Sequence, residues 1–154
     1  MKNSSGVTLI EMLIVVALIG LLAGVTFPAA SSGIDSLRLT SATSSVVGLF
    51  NEALIRAERR QQVVELTISR TERALWLRSS EPGFQKRVDL PTGVSILSIL
   101  PEALQGEDGS RRFLLFPGGA VPGLEIVMSN ARNARRVVRL DPITGVASVV
   151  QVER

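Results

Sequence analysis

Residues 7–27, VTLIEMLIVVALIGLLAGVTF, form an apolar run of 21 residues that carries one charge, Glu11; the next ionisable side chain is Asp35. As a helix, about 20 residues rising about 1.5 Å each cover the ~30 Å hydrocarbon layer of a bilayer. A helix lying on a soluble core needs a polar stripe, and none interrupts the stretch from Met12 to Ala23. The run is expected to be a membrane segment, and the rest of the chain must fold as a domain tethered to it.

Composition narrows what that domain can do. At 154 residues with 45% hydrophobic content, the chain holds one small domain beyond its anchor. Without Lys2, 16 basic side chains stand against 14 acidic ones, a difference of +2, so the high pI reflects arginine excess and absent histidine rather than a strong basic field. No Cys is present, hence neither a disulfide nor a thiolate metal site. Absent His removes the commonest general base and metal ligand together. Glu107-Asp108 makes the only acidic pair resembling a cluster. No catalytic residue, metal ligand or cofactor site is nominated, and an enzyme on a membrane anchor is the weakest of the readings considered.

Beyond Pro28 the small residues Ala29-Ala30-Ser31-Ser32-Gly33 would loosen a helix, because Pro removes an amide donor and Gly adds backbone freedom. The pattern then becomes amphipathic: Leu39, Ala42, Val46, Leu49 or Phe50, Ala53 and Ala57 recur at steps of three and four. This predicts one helix from about 7 to about 60, softened near 28–33. At Val63 the period changes to two, with Val64, Leu66 and Ile68 alternating with Glu65, Thr67 and Ser69, the mark of a half-buried strand. A turn over Ser69–Arg73 leads to Ala74–Arg78. Further strands are expected at Phe84–Leu90, Val94–Leu100, Arg112–Phe116, Leu124–Ser129, Arg135–Leu140 and Val146–Val152, most of them separated by Gly- or Pro-bearing turns. Seven or eight short strands after one helix define an α+β fold, with antiparallel sheets packed against the helix.

The leader MKNSSG, ending at Gly6 and followed by Val7, Thr8, Leu9, Ile10 and Glu11, resembles the type IV prepilin signal: a basic leader ending in Gly, a hydrophobic residue, then T-L-[IV]-E. The resemblance implies cleavage between Gly6 and Val7 by a prepilin peptidase, then methylation of the new amine. Phe is usual at the first mature position, and Val7 departs from that. Pro28 stands where such pilins commonly carry a helix-loosening proline. The implied organisation is a leader over 1–6, a transmembrane and assembly helix over 7–28, its amphipathic continuation over 29–60 and a periplasmic β-rich domain over 61–154. An ordinary secretory signal has a shorter apolar core with a small-residue cleavage site after it. Thr8-x-x-Glu11 also matches a capping box, which explains neither the leader nor the long apolar run. A plain membrane anchor with a chance acid is the main competing reading.

A second resemblance lies near the C-terminus. Arg112-Phe113-Leu114-Leu115-Phe116-Pro117-x-Gly119, Gly123-Leu124-Glu125-Ile126 and Leu140-Asp141-Pro142-x-Thr144-Gly145, in that order, resemble the globular domain of the H-type minor pseudopilin of type II secretion and of its relative, the T-type minor pilin. Residues 61–110 carry no such resemblance. Membership would imply a single-pass inner-membrane protein with a cytoplasmic N-terminus and periplasmic C-terminal domain. Its partners would be other pseudopilins or pilins, the prepilin peptidase and membrane lipid, with secreted proteins as further candidates. The alternative is a minor pilin of a type IV pilus for biogenesis, adhesion or DNA uptake.

Glu11 is the first residue with a chemical role. A carboxylate in the bilayer costs of order 2–3 kcal/mol near a helix centre unless it finds a partner. Cleavage after Gly6 would create one in the amine of Val7, one helical turn away. The resemblance implies the same role for Glu11 toward a neighbouring subunit's amine. The tip-type pseudopilin often lacks this acid, so Glu11 points away from that subtype. Gly20-x-x-x-Gly24 permits close approach of another helix, though such pairs also arise by chance in small-residue segments. Arg132, Arg135, Arg136 and Arg139 could contact phosphate. On a strand, Arg135 and Arg139 face one side and Arg136 the other, and no aromatic residue is interleaved for base stacking. A solvated loop and protected edge strand is the favoured reading, and nucleic-acid binding is disfavoured.

Overall fold

The computed structural model describes residues 8–80, 83–102 and 109–151, with the side chains of 25, 27–32 and 151 also outside the description. The chain divides into two compact units, Met1–Ile34 and Asp35–Arg154. One helix, α1, spans Leu9–Arg60. The eight strands all lie in the second unit: β1 Val64–Ser69, β2 Ala74–Ser79, β3 Gln85–Asp89, β4 Val94–Leu100, β5 Ser110–Leu115, β6 Leu124–Asn130, β7 Arg135–Leu140 and β8 Ala147–Gln151. The expected α+β fold, with its helix on antiparallel sheets, is what forms.

In the first unit, Thr8 starts the helix. Its Oγ1 accepts from the Glu11 amide at 3.3 Å and its carbonyl accepts from Glu11 and Met12, satisfying amides that have no partner in a helix's first turn. The backbone stays helical through 28–33, where loosening was expected.

The second unit owes its core to sidedness. On its α1 segment Leu39, Ala42, Val46, Leu49, Phe50, Ala53 and Ala57 are all buried, so both members of the Leu49/Phe50 pair belong to the stripe. The alanines let a sheet approach closely where larger side chains would hold it off. Thr43 is also buried in this segment; its hydroxyl donates to the Leu39 and Thr40 carbonyls, so no polar group is stranded. Gln61 closes the helix at φ 52°, and the Gln62 amide reaches back to the Ala57 carbonyl.

The sheets have four strands each, in the orders β3-β2-β1-β5 and β4-β6-β7-β8, all pairs antiparallel. Period-two alternation points Val64, Leu66, Ile68, Leu75, Leu77 and Leu115 of the first sheet, and Ile126, Met128, Val138 and Leu140 of the second, into one cluster with the helix stripe. Hairpins follow turn chemistry. Asn130 Oδ1 accepts from the Arg132 and Ala134 amides at 3.0 Å each, fixing the β6–β7 turn with Asn133 at φ 60°. The last strand pair, β7–β8, is joined through Asp141 and Gly145, the glycine at φ 66°.

One expectation needs correction. Arg135–Leu140 was read as an edge strand, but β7 lies between β6 and β8, and β8 takes the edge. Its arginines are tolerated in an inner strand because Arg135 and Arg139 stand on the outer face while Val138 and Leu140 fill the core.

Phe50 touches both the helix stripe and the strand cluster, so Phe50→Ala is expected to cost about 3–5 kcal/mol. Denaturant unfolding of the detergent-solubilised chain, followed by circular dichroism, checks this; a loss below about 1 kcal/mol would place Phe50 outside the cooperative core.

Candidate assembly helix and the surfaces of the β domain

From Leu9 to Gly24 every side chain is exposed, including Leu9 at 82%, Leu21 at 67% and Leu22 at 66%. Soluble monomers rarely leave contiguous apolar patches above a few hundred Å² uncovered, so this surface calls for lipid or other helices. Glu11 is exposed within it, and among the described residues its carboxylate has no ion pair. A Cβ placed on Gly20 or Gly24 would meet nothing within 4 Å, so the glycine face is open. The stretch Leu9–Gly24 covers ~24 Å as a helix, less than the ~30 Å bilayer core. Among the described residues no helix is long and apolar enough to cross a membrane. The span expected over 7–28 rests on a longer sequence run, whose residues at both ends lie outside the described side chains. Gly6, Val7, Glu107-Asp108 and the side chain of Pro28 are outside the description as well.

The arginine group does not come together as one basic surface. Arg132 Nε is 3.4 Å from Asp35 Oδ2, and Arg139 Nε is 2.7 Å from Glu125 Oε1, its cross-strand neighbour. Arg135 shares the outer face with Arg139, while Arg136 is half-buried at the start of the opposite face. Two of the four are thus already neutralised by carboxylates, which removes most of the charge a phosphate would see.

Two of the three C-terminal segments singled out in the sequence, 123–126 and 140–145, meet. Leu124 pairs with Leu140 in register, a Cβ on Gly123 would lie 3.4 Å from Pro142, and one on Gly145 would lie 3.6 Å from Val121. The turn after β5 closes by a bond from the Gly119 amide to the Phe116 carbonyl, and the Gly118 amide donates to Glu58 Oε1 on α1 at 3.0 Å. In the Asp141 turn, Oδ1 accepts from the Ile143 and Thr144 amides at 2.7 and 2.9 Å.

The outer face of the first sheet carries a constellation that sequence reading missed. In register across it lie Arg87, Trp76, Thr67 and Arg112, with Arg78 opposite Glu65 in the adjacent row. Together with Ser69, Glu72 and Ser110 they line a shallow hollow of about 310 Å³. The Arg87 guanidinium lies 5.0 Å over the Trp76 ring and binds Asp89 at 2.8 Å and Glu72 at 3.7 Å. The available signal was the polar half of each alternating strand, which reads as ordinary solvent face until the register is known.

Residues 1–27 match the prokaryotic N-terminal methylation motif. This is a type IV pilin-like prepilin signal, and it supports a place for the chain among type IV pilins and pseudopilins, with the fold in agreement. Such a signal implies processing by a prepilin peptidase, anchoring at the inner membrane through the N-terminal helix and assembly with other pilins. No curated protein and no solved structure matches the chain.

Amide bonds from Thr144 and then Ile143, reinforced by the Thr144 hydroxyl and the Arg139 charge, hold the Asp141 carboxyl below its ordinary value of 3.8 against a smaller opposing effect of burial. A depressed folded-state pKa stabilises above the unfolded value and loses that contribution as pH falls through the folded one. Stability is expected to decline below about pH 4 partly through this turn. Asp141→Asn, which keeps an acceptor oxygen, should shallow that decline in thermal melts across pH; an unchanged slope would remove Asp141 from the acid response.

Proposed function

We propose that this chain is a minor pseudopilin of a type II protein secretion system, closest in kind to the H-type subunit. Its N-terminal helix, spanning the inner membrane with the N-terminus cytoplasmic, joins the periplasmic pseudopilus after the leader is removed, and its β domain stays in the periplasm. The observation that carries this is the fully exposed apolar surface Leu9–Gly24, interrupted by a single carboxylate that has no ion pair among the described residues and lying within the matched prepilin signal. Apolar side chains find cover in lipid before assembly and in neighbouring helices after it. Cleavage at Gly6–Val7 supplies the cation that Glu11 lacks, either in its own chain or in the next subunit. The open glycines Gly20 and Gly24 permit close helix approach. The H-type assignment draws support from the C-terminal segments, two of which abut through Gly123 and Pro142. Work on the exported protein would be done by assembly, with force supplied elsewhere, so no catalytic residue and no cofactor is assigned.

Co-expression with a prepilin peptidase should yield a product starting with N-methylated Val7, read by mass spectrometry of the N-terminal peptide. Gly6→Val should block it. Glu11→Gln should be cut normally yet enter filaments at least about tenfold less well; equal incorporation would end the pairing role of Glu11. Deleting the gene should trap exported enzymes in the periplasm. Normal export with lost piliation would instead favour the type IV pilus reading.

A further inference from the structure

We propose that the hollow on the outer face of the β3-β2-β1-β5 sheet is a binding site for acidic saccharide, with Trp76 as the stacking platform and Arg78 and Arg112 as the anion contacts. This goes beyond assembly through α1 and does not depend on it. The hollow holds about 310 Å³, room for one or two sugar rings rather than a protein segment. Trp76 is half-exposed at its centre, and an indole face suits the apolar C–H face of a pyranose. Arg87 is committed to Asp89, Glu72 and the indole, so its task is to hold the ring. Arg78 and Arg112 are exposed, and among the described residues neither side chain has an ion pair or hydrogen bond. They flank β1, two strand spacings apart across the sheet and two residues apart along it, about 12 Å from backbone to backbone, where guanidinium forks can each take a carboxylate.

The carboxylates in the same hollow decide the ligand class. Glu65 stands on β1 opposite Arg78, one outer-face row from Thr67, which stands opposite Arg112, and its carboxylate accepts from the Thr67 hydroxyl at 3.2 Å. A carboxylate offers only acceptors, so its ligand must bring hydroxyl donors. Sugars carry them on every ring, whereas a DNA phosphodiester backbone carries none and would be repelled. Three arginines against two glutamates leave the lining at +1, far from the basic groove that tracks a nucleic-acid strand, and only one aromatic is present.

Trp76 is the chain's single tryptophan, so intrinsic fluorescence reports directly on the hollow. The test is titration of the detergent-solubilised full chain with trigalacturonate, with galactotriose, a short oligothymidylate and hexaglutamate as comparisons. A saturable change in emission is expected with trigalacturonate, weakened about tenfold or more in Arg78→Gln and in Arg112→Gln. Both side chains are exposed, so these variants should keep the parent thermal midpoint. No saturable response to trigalacturonate, an equal response to galactotriose, tighter binding of either polyanionic comparison, or unchanged affinity in both variants overturns the proposal.

Discussion

Both sheets of the β domain turn their apolar faces into a cluster that contains the helix stripe from Leu39 to Ala57, and this shared burial is the interaction on which the rest of the domain depends. A four-stranded sheet with one apolar face cannot remain so in water; it needs a covering layer. Leu66, Ile68, Leu75 and Leu77 on one sheet, and Ile126, Met128 and Val138 on the other, are covered together with Val46, Leu49 and Phe50. Each large side chain so buried contributes roughly 1.5–3 kcal/mol, and the loss of the stripe would expose both sheets at once. Ion pairs add little by comparison. Arg139–Glu125 and Lys86–Glu52 join partly exposed side chains, where such pairs are worth about 0–1 kcal/mol.

The same helix has a different task before residue 35. There Leu9, Ile10, Leu13 and Val16 are exposed among the described residues, and a single carboxylate at Glu11 is the only ionisable group between Leu9 and Ile34. One helix thus serves two environments by changing its side-chain pattern, apolar all round in one part and striped in the other. On the proposed function, processing at Gly6–Val7 would create an amine one helical turn from Glu11, a partner that its carboxylate lacks among the described residues.

Much of the architecture was legible because it depends on local periodicity. Steps of three and four from Leu39 to Ala57 could only be one buried helix face, and alternation at Val64, Leu66 and Ile68 could only be a half-buried strand. Gly93, Gly118 and Gly145 mark turns that need positive φ, and each adopts it. Less legible was where strands sit in their sheets. Arg135, Arg136 and Arg139 suggested an edge because charge protects edges, yet β8 pairs outside β7 through Val137–Val150 and Val138–Val149. Ladder neighbours come from distant parts of the chain, and no local pattern records them.

By itself, then, the sequence determined the elements that arise from nearest-neighbour chemistry: the apolar helix with its lone acid, the amphipathic continuation, the strand periods and the processing signal in residues 1–27. Tertiary structure alone decided which side chains from separate strands share a face. It joined Gly123 to Pro142, spent Arg132 and Arg139 on Asp35 and Glu125, and brought Arg78, Trp76 and Arg112 around Glu65. The physical reason is that helix faces and strand alternation are set by backbone geometry within a few residues. Register and strand order are set by how all the apolar faces can be buried at once, which is a property of the whole chain.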